Sequence, residues 1–172
     1  MAPNNLEVFN NRGTGFVDLG DLQVQMAKPT DALQSYRQAL ATYDQALHLA
    51  PDLVQTLNNK GTVLAKLCIL HTKLEQYPQA LQSYEQALAT YNHALDLAPD
   101  DTYIHKNKGL VLHMLGFLQA RRSLQVRLSE NIEALESWQG AVAAFSCYLT
   151  IATGDEYIRN LRDLLQKFLD NL

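Results

Sequence analysis

Apolar residues recur at steps of three and four along most of the chain. Leu81, Tyr84, Leu88, Tyr91, Leu95 and Ala98 trace one such face, with the period of an amphipathic helix. No stretch alternates apolar and polar positions as a half-buried strand would, so the chain reads as all-α. Prolines divide the helices. Pro51 and Pro99 follow two apolar runs, where proline cannot continue a helix, and Asp52 and Asp100 stand next as candidate N-caps. The turns inside the first two hairpins fall at Lys28-Pro29-Thr30 and Gln76-Tyr77-Pro78-Gln79, with Pro78 suited to a first helical turn. Helices are therefore predicted over about 5–27, 30–50, 53–75, 78–98, 102–127 and 131–152.

The same segments repeat. Residues 30–52 and 78–100 agree at 17 of 23 positions with an offset of 48. Upstream, Asn10-Asn11-Arg12-Gly13-Thr14 maps onto Asn58-Asn59-Lys60-Gly61-Thr62, and then onto Lys106-Asn107-Lys108-Gly109-Leu110. A third version of the second half follows at 133–155, six residues late, which places an insertion near 116–131. Self-similarity at a fixed period marks a stacked array. Such arrays need a polar end, and residues 155–172 supply one. Ile158, Leu161, Leu165, Phe168 and Leu172 form its apolar stripe, while Arg159, Arg162, Asp163, Lys167 and Asp170 are expected to face water.

These residues carry a family resemblance. Asn-Asn-Lys-Gly, then apolar residues at helical spacing, then Gly61, Ala87, Tyr91, Ala94 and Pro99 resemble a tetratricopeptide repeat. Gly13, Ala39, Tyr43, Ala46 and Pro51 give the same pattern one repeat earlier. The Asn-Asn-Arg/Lys-Gly heading is similar to repeats common in cyanobacterial proteins. The resemblance implies a right-handed α-α superhelix of three hairpins in a single domain, 1–172. Repeat one would be 5–52, repeat two 53–100, repeat three 101–154 and the capping helix 155–172. The family's period is about 34 residues, so the spacing of 48 here implies helices lengthened by two turns, about 10 Å each. Whole added heptads keep the packing face in register. One is visible as the near-duplicates ALQSYEQ and ALATYNH.

Composition narrows the function. The 172 residues are 47% hydrophobic and 19% charged, which excludes a disordered or collagen-like chain. The formal net charge of −4 argues against a globally basic nucleic-acid binder. Two cysteines make no disulfide framework, no apolar run is long enough to span a membrane, and the N-terminus does not read as a secretory signal. A cytoplasmic protein with neither nucleic acid nor membrane as partner is the expectation.

Candidate chemistry is sparse. Arg12-Gly13-Thr14-Gly15 looks like a glycine-rich loop, but it lies inside a predicted helix and Gly13 recurs as Gly61 and Gly109. Close helix packing explains it better. Cys68 and His71 share a helix face without further ligands, so no metal is expected and the cysteines read as core. Glu130, Glu133 and Glu136 suit a helix start rather than a catalytic pair. The recurring Tyr36/Tyr43, Tyr84/Tyr91 and Trp138/Phe145 read as inter-repeat packing, with hydroxyls at the edge of the core. No enzyme and no cofactor follow from this set.

What remains is a binding surface. In the family the first helix of each repeat lines the concave face. Asn11, Asn59 and Asn107 recur there, with Asn10, Asn58 and Lys106 before them and Thr14 and Thr62 after the first two. An amide both donates and accepts, so a row of asparagines can hold an extended backbone, and some members of the family hold peptides on such a ladder. Lys60, Lys66 and Lys73, then Lys106, Lys108, Arg121, Arg122 and Arg127, are the only charged residues of 53–74 and 102–129. A groove of one sign attracts the other, so the expected partner is an acidic extended peptide or a helix. The carboxylate clamp by which some relatives bind chaperone tails would fall on Asn10, Thr14, Asn59, Tyr103 and Asn107, where only Asn59 matches. The rival expectation is a homodimer through the first helix, where Leu6, Val8, Phe9, Phe16 and Val17 have no preceding repeat to cover them.

Overall fold

A computed structural model describes the backbone of residues 4–123 and 129–170 and the side chains of 6–119 and 133–170. Its helices are α1 (Asn4–Gln25), α2 (Pro29–Leu49), α3 (Val54–Lys73), α4 (Tyr77–Leu97), α5 (Thr102–Ser123), α6 (Ser129–Leu149) and α7 (Glu156–Asp170). The described residues contain no strand. The chain forms two compact units, one ending at Ala98 and the other beginning at Pro99.

In the first unit α1 pairs with α2 and α3 with α4, and α3 lies against α2. Pro29 and Pro78 occupy first turns, as their missing N–H and fixed φ favour. Both first-type helices end the same way. Ala27 and Glu75 adopt positive φ, and the N–H groups of Lys28 and Gln76 close on the carbonyls of Gln23 and His71 at 2.8 Å. That is a Schellman end built on non-glycine residues.

The caps differ from expectation. Asp52 does not cap α3, whose start is preceded by Leu53 with no side-chain cap. It lies one residue too early to reach the free N–H groups. For α5 the acceptor is Asp101 rather than Asp100, taking the Ile104 N–H at 3.1 Å. Asp155 does the same for Ile158 at the head of α7.

One device holds every hairpin together. A Cβ on Gly13, Gly61 or Gly109 would run into the ring of Tyr43, Tyr91 or Phe145. The glycines let the second-type helix lay an aromatic face on the backbone of the first. Gly20 and Gly116 receive Tyr36 and Trp138 in the same way, and in the second repeat Cys68 stands beside Tyr84 instead. These aromatic residues are buried, at roughly 1.5–3 kcal/mol for a fully buried large side chain. Tyr36 and Tyr43 also share a core with Val63, Leu67 and Leu70 of α3. The aromatics thus serve the hairpin itself as well as the junction between repeats.

In the second unit α5 pairs with α6, and α7 lies on α6. Ile158 and Leu165 of α7 are buried with Trp138, Phe145 and Tyr148, and Leu161 and Leu169 pack at the margin. Phe168, expected on the buried stripe, is about half exposed, at 47%, and Leu172 lies outside the described residues.

Candidate protein-binding surface

The first-type helices of the first unit, α1 and α3, are tied near both ends. The Thr56 hydroxyl donates to the Asn10 side-chain oxygen at 2.8 Å. The Lys66 ammonium donates to both Asp21 oxygens at 2.9 Å, and Tyr36 of α2 donates to the same carboxylate at 2.6 Å. Burial first, and then this bond to an acidic acceptor, push the Tyr36 hydroxyl well above its ordinary pKa. One carboxylate therefore fastens three helices.

The expected site residues fall into two groups. Thr14, exposed, and Thr62, half-buried, turn toward the second helix of their hairpin. Each donates to the carbonyl four residues back, Asn10 or Asn58, and meets the hydroxyl of Tyr43 or Tyr91 at 3.2 Å. Burial raises the Tyr91 hydroxyl to about 12. Asn10 is engaged by Thr56, and Asn58 and Asn107 each have a partner within the chain. Asn11 is exposed and Asn59 half-buried, and neither forms a hydrogen bond with another described side chain.

Three of the expected cations are matched inside the chain. Lys60 pairs with Asp44 of α2 at 2.7 Å and Lys66 with Asp21. Lys106 pairs with Asp155 at 2.7 Å, where Tyr148 also donates at 2.8 Å. The Lys106 ammonium, the Ile158 N–H and the Tyr148 hydroxyl hold the Asp155 carboxyl down to about 2. Lys108 is half-buried, with no ion pair among the described residues, and Lys73 is exposed. The side chains of Arg121, Arg122 and Arg127, and that of Glu130, lie outside the described residues.

Reading the sequence for cations alone missed Asp21, Asp44 and Asp155. Their signal was present. Each lies on a neighbouring helix or its cap; Asp155 aligns with Asp101 and Leu53, and for Asp21 and Asp44 the two other copies carry something else. Asp21, for example, becomes Ile69 and then Phe117.

The remaining chemistry is modest. A shallow open cleft of about 430 Å³ is lined by Phe9, Ala41, Asp44, Gln45, His48 and Leu49. Cys68 is buried, with its thiol raised to about 11, mainly by burial, and Cys147 is half-buried. No group of three metal-binding side chains converges among the described residues, and no described helix is long and apolar enough to cross a membrane.

A family model described as a TPR repeat matches residues 79–116. No curated protein matches the chain in sequence. Among solved structures, a TPR repeats protein from Bacteroides fragilis shares 14% identity over 95% of this chain and 86% of its own, with a TM-score of 0.47. A MamA RS-1 ArsTM double mutant shares 15% over 93% of this chain and 95% of its own, with a TM-score of 0.36. The matched segment runs from α4 into α5, and the 30–52 segment repeats its first part at most positions. Residues 79–116 thus match a tetratricopeptide repeat, and the chain around them is built of the same kind of helical hairpin.

Proposed function

We propose that this protein is a non-enzymatic adaptor that holds an extended acidic peptide along its first-type helices. The fold is that of a protein-interaction module, and the proposal adds the ligand. The observation that supports it is the pair Asn11 and Asn59. They occupy equivalent positions on adjacent helices, and their amides make no hydrogen bond among the described side chains. Each can offer one donor and one acceptor to a passing backbone, and Asn107 extends the row in sequence.

Lys60 and Lys66 remain a third or so exposed while paired. An acidic ligand would share these cations with Asp44 and Asp21 rather than meet bare charge. A short groove and shared cations together imply micromolar affinity.

The test is fluorescence anisotropy with a pool of labelled, extended, glutamate-rich peptides. The protein and its Asn11→Ala/Asn59→Ala/Asn107→Ala variant are compared, with melting followed in parallel. Loss of binding at unchanged melting supports the reading. If melting falls while binding survives, the asparagines are structural and the ladder is wrong.

A second reading, self-association through α1, is favoured by the exposure of Val8. Sedimentation over a range of concentrations separates it from a monomeric adaptor.

A further inference from the structure

The exposed side of α1 is a repeat-for-repeat copy of a side of α3 that is buried. On α3 the stripe Thr56, Val63, Leu67, Leu70 and Leu74 is buried or half-buried. Val63, Leu67 and Leu70 share a core with Ala32, Tyr36, Ala39 and Tyr43 of α2, while Thr56 and Lys66 bond to Asn10 and Asp21 of α1. The stripe is therefore seated on a two-helix surface. The positions 48 residues earlier are Val8, Gly15, Leu19, Leu22 and Met26. There Val8 is 59% exposed, Leu19 43%, Leu22 51% and Met26 54%. The third copy carries Ile104, Val111, Leu115 and Leu118 at the first four positions, so all three sequences keep an apolar stripe there.

We propose that this face of α1 is a docking surface for a partner helical hairpin of the same repeat type, with a basic side chain opposite Asp18 and a bulky one opposite Gly15. The first requirement comes from charge. Asp18 is the counterpart of Lys66, and it is exposed and makes no ion pair among the described residues. Where α3 presents a cation to Asp21, α1 presents an anion, so the partner must carry the opposite sign. The second comes from space. Gly15 stands where α3 has Val63, and a Cβ there would meet nothing within 4 Å. A partner shaped like the α1–α2 hairpin would leave a gap at that point unless it filled it.

A second copy of α1 does not meet these requirements. It offers one helix where the equivalent stripe of α3 meets two, and it brings an aspartate rather than a cation. Asn11 falls between Val8 and Gly15 on this same side of α1, but the melting readout needs no peptide, so the proposal can fail independently of the peptide reading.

The experiment adds one hairpin to the full chain. Residues 5–52 are duplicated ahead of Asn5, so that the added Asp52 enters α1 as the native Asp52 enters α3. The added copy carries either its own Asp21 or Asp21→Lys. The expected result is one cooperative transition with Tm raised by about 5 °C or more in the lysine version, and a smaller gain in the aspartate version. Leu19→Glu/Leu22→Glu in the native α1 should abolish the gain, yet leave the unfused chain's Tm within about 2 °C because both side chains are exposed. The proposal is overturned by an added hairpin that melts separately, or by equal gains from the lysine and aspartate versions. Concentration-dependent dimerisation of the unfused chain that Leu19→Glu abolishes would overturn it in favour of a second copy.

Discussion

The joint that fastens α3 to the first hairpin and the joint that fastens α7 to the third occupy equivalent positions and use opposite chemistry. In the first unit Asp21, Tyr36 and Lys66 meet through a shared carboxylate. In the second the corresponding residues are Phe117, Trp138 and Phe168. Their rings meet edge to face, with centroids 5.6 Å apart for Phe117 and Trp138 and 5.2 Å for Trp138 and Phe168. His113 joins the row at 4.7 Å from Phe117. The second unit keeps a polar fastening elsewhere, with Lys106 and Tyr148 on Asp155 at the head of α7. Repeat geometry therefore fixes where three helices must be joined, and leaves open whether charge or aromatic area joins them. A partly exposed ion pair is worth little net of solvation, whereas an indole buries a large apolar surface.

The strongest way to break the symmetry is Trp138→Ala. It should cost about 3–5 kcal/mol in urea denaturation, against about 1 kcal/mol for Tyr36→Phe, which removes one hydroxyl bond. Equal losses would mean that the two joints carry similar loads.

Gly116→Ala comes next. Its new methyl would strike the Trp138 indole, at roughly 1–3 kcal/mol. Gly15→Ala, in open space within a helix, should instead gain about 0.5–1 kcal/mol.

Acid sharpens the contrast at α7. The Asp155 carboxyl is held at about 2 in the folded chain, below its ordinary value. The unfolded state takes up that proton first, so the fastening is complete above about pH 4 and is lost as pH falls toward 2. Urea midpoints between pH 5 and 2 should fall less steeply for Asp155→Asn than for the parent chain.

The smallest effect is at Lys66. Lys66→Met removes the ion pair but leaves Asp21 to accept from Tyr36, so it should cost about 0.2–1 kcal/mol, shrinking between about 0.05 and about 0.5 M salt as screening grows. Phe168→Ala should show no such salt dependence.

Much of the fold was legible beforehand. Gly13, Gly61 and Gly109 announce close approach, and each meets the aromatic residue that the repeat aligns with it. The candidate site was legible only in part. The recurrence of Asn11 and Asn59 marked equivalent positions, but nothing in a helical period says that Thr14 and Thr62 turn to tyrosine hydroxyls. Nor does it say that Lys60 and Lys66 find aspartates on neighbouring helices. Such pairs depend on side-chain reach between helices distant in sequence.

The sequence by itself determined the helices, the recurrence of glycine as a mark of close helix packing, and the places where one repeat must meet the next. Periodicity fixes these because a helix turns by a constant angle, so one face recurs wherever the pattern does. Only the tertiary structure decided which cations are already neutralised, which aspartate caps a helix, and that the stripe buried on α3 lies open on α1. These follow from which neighbour is present, and a repeated pattern reads the same whether or not a neighbour is there.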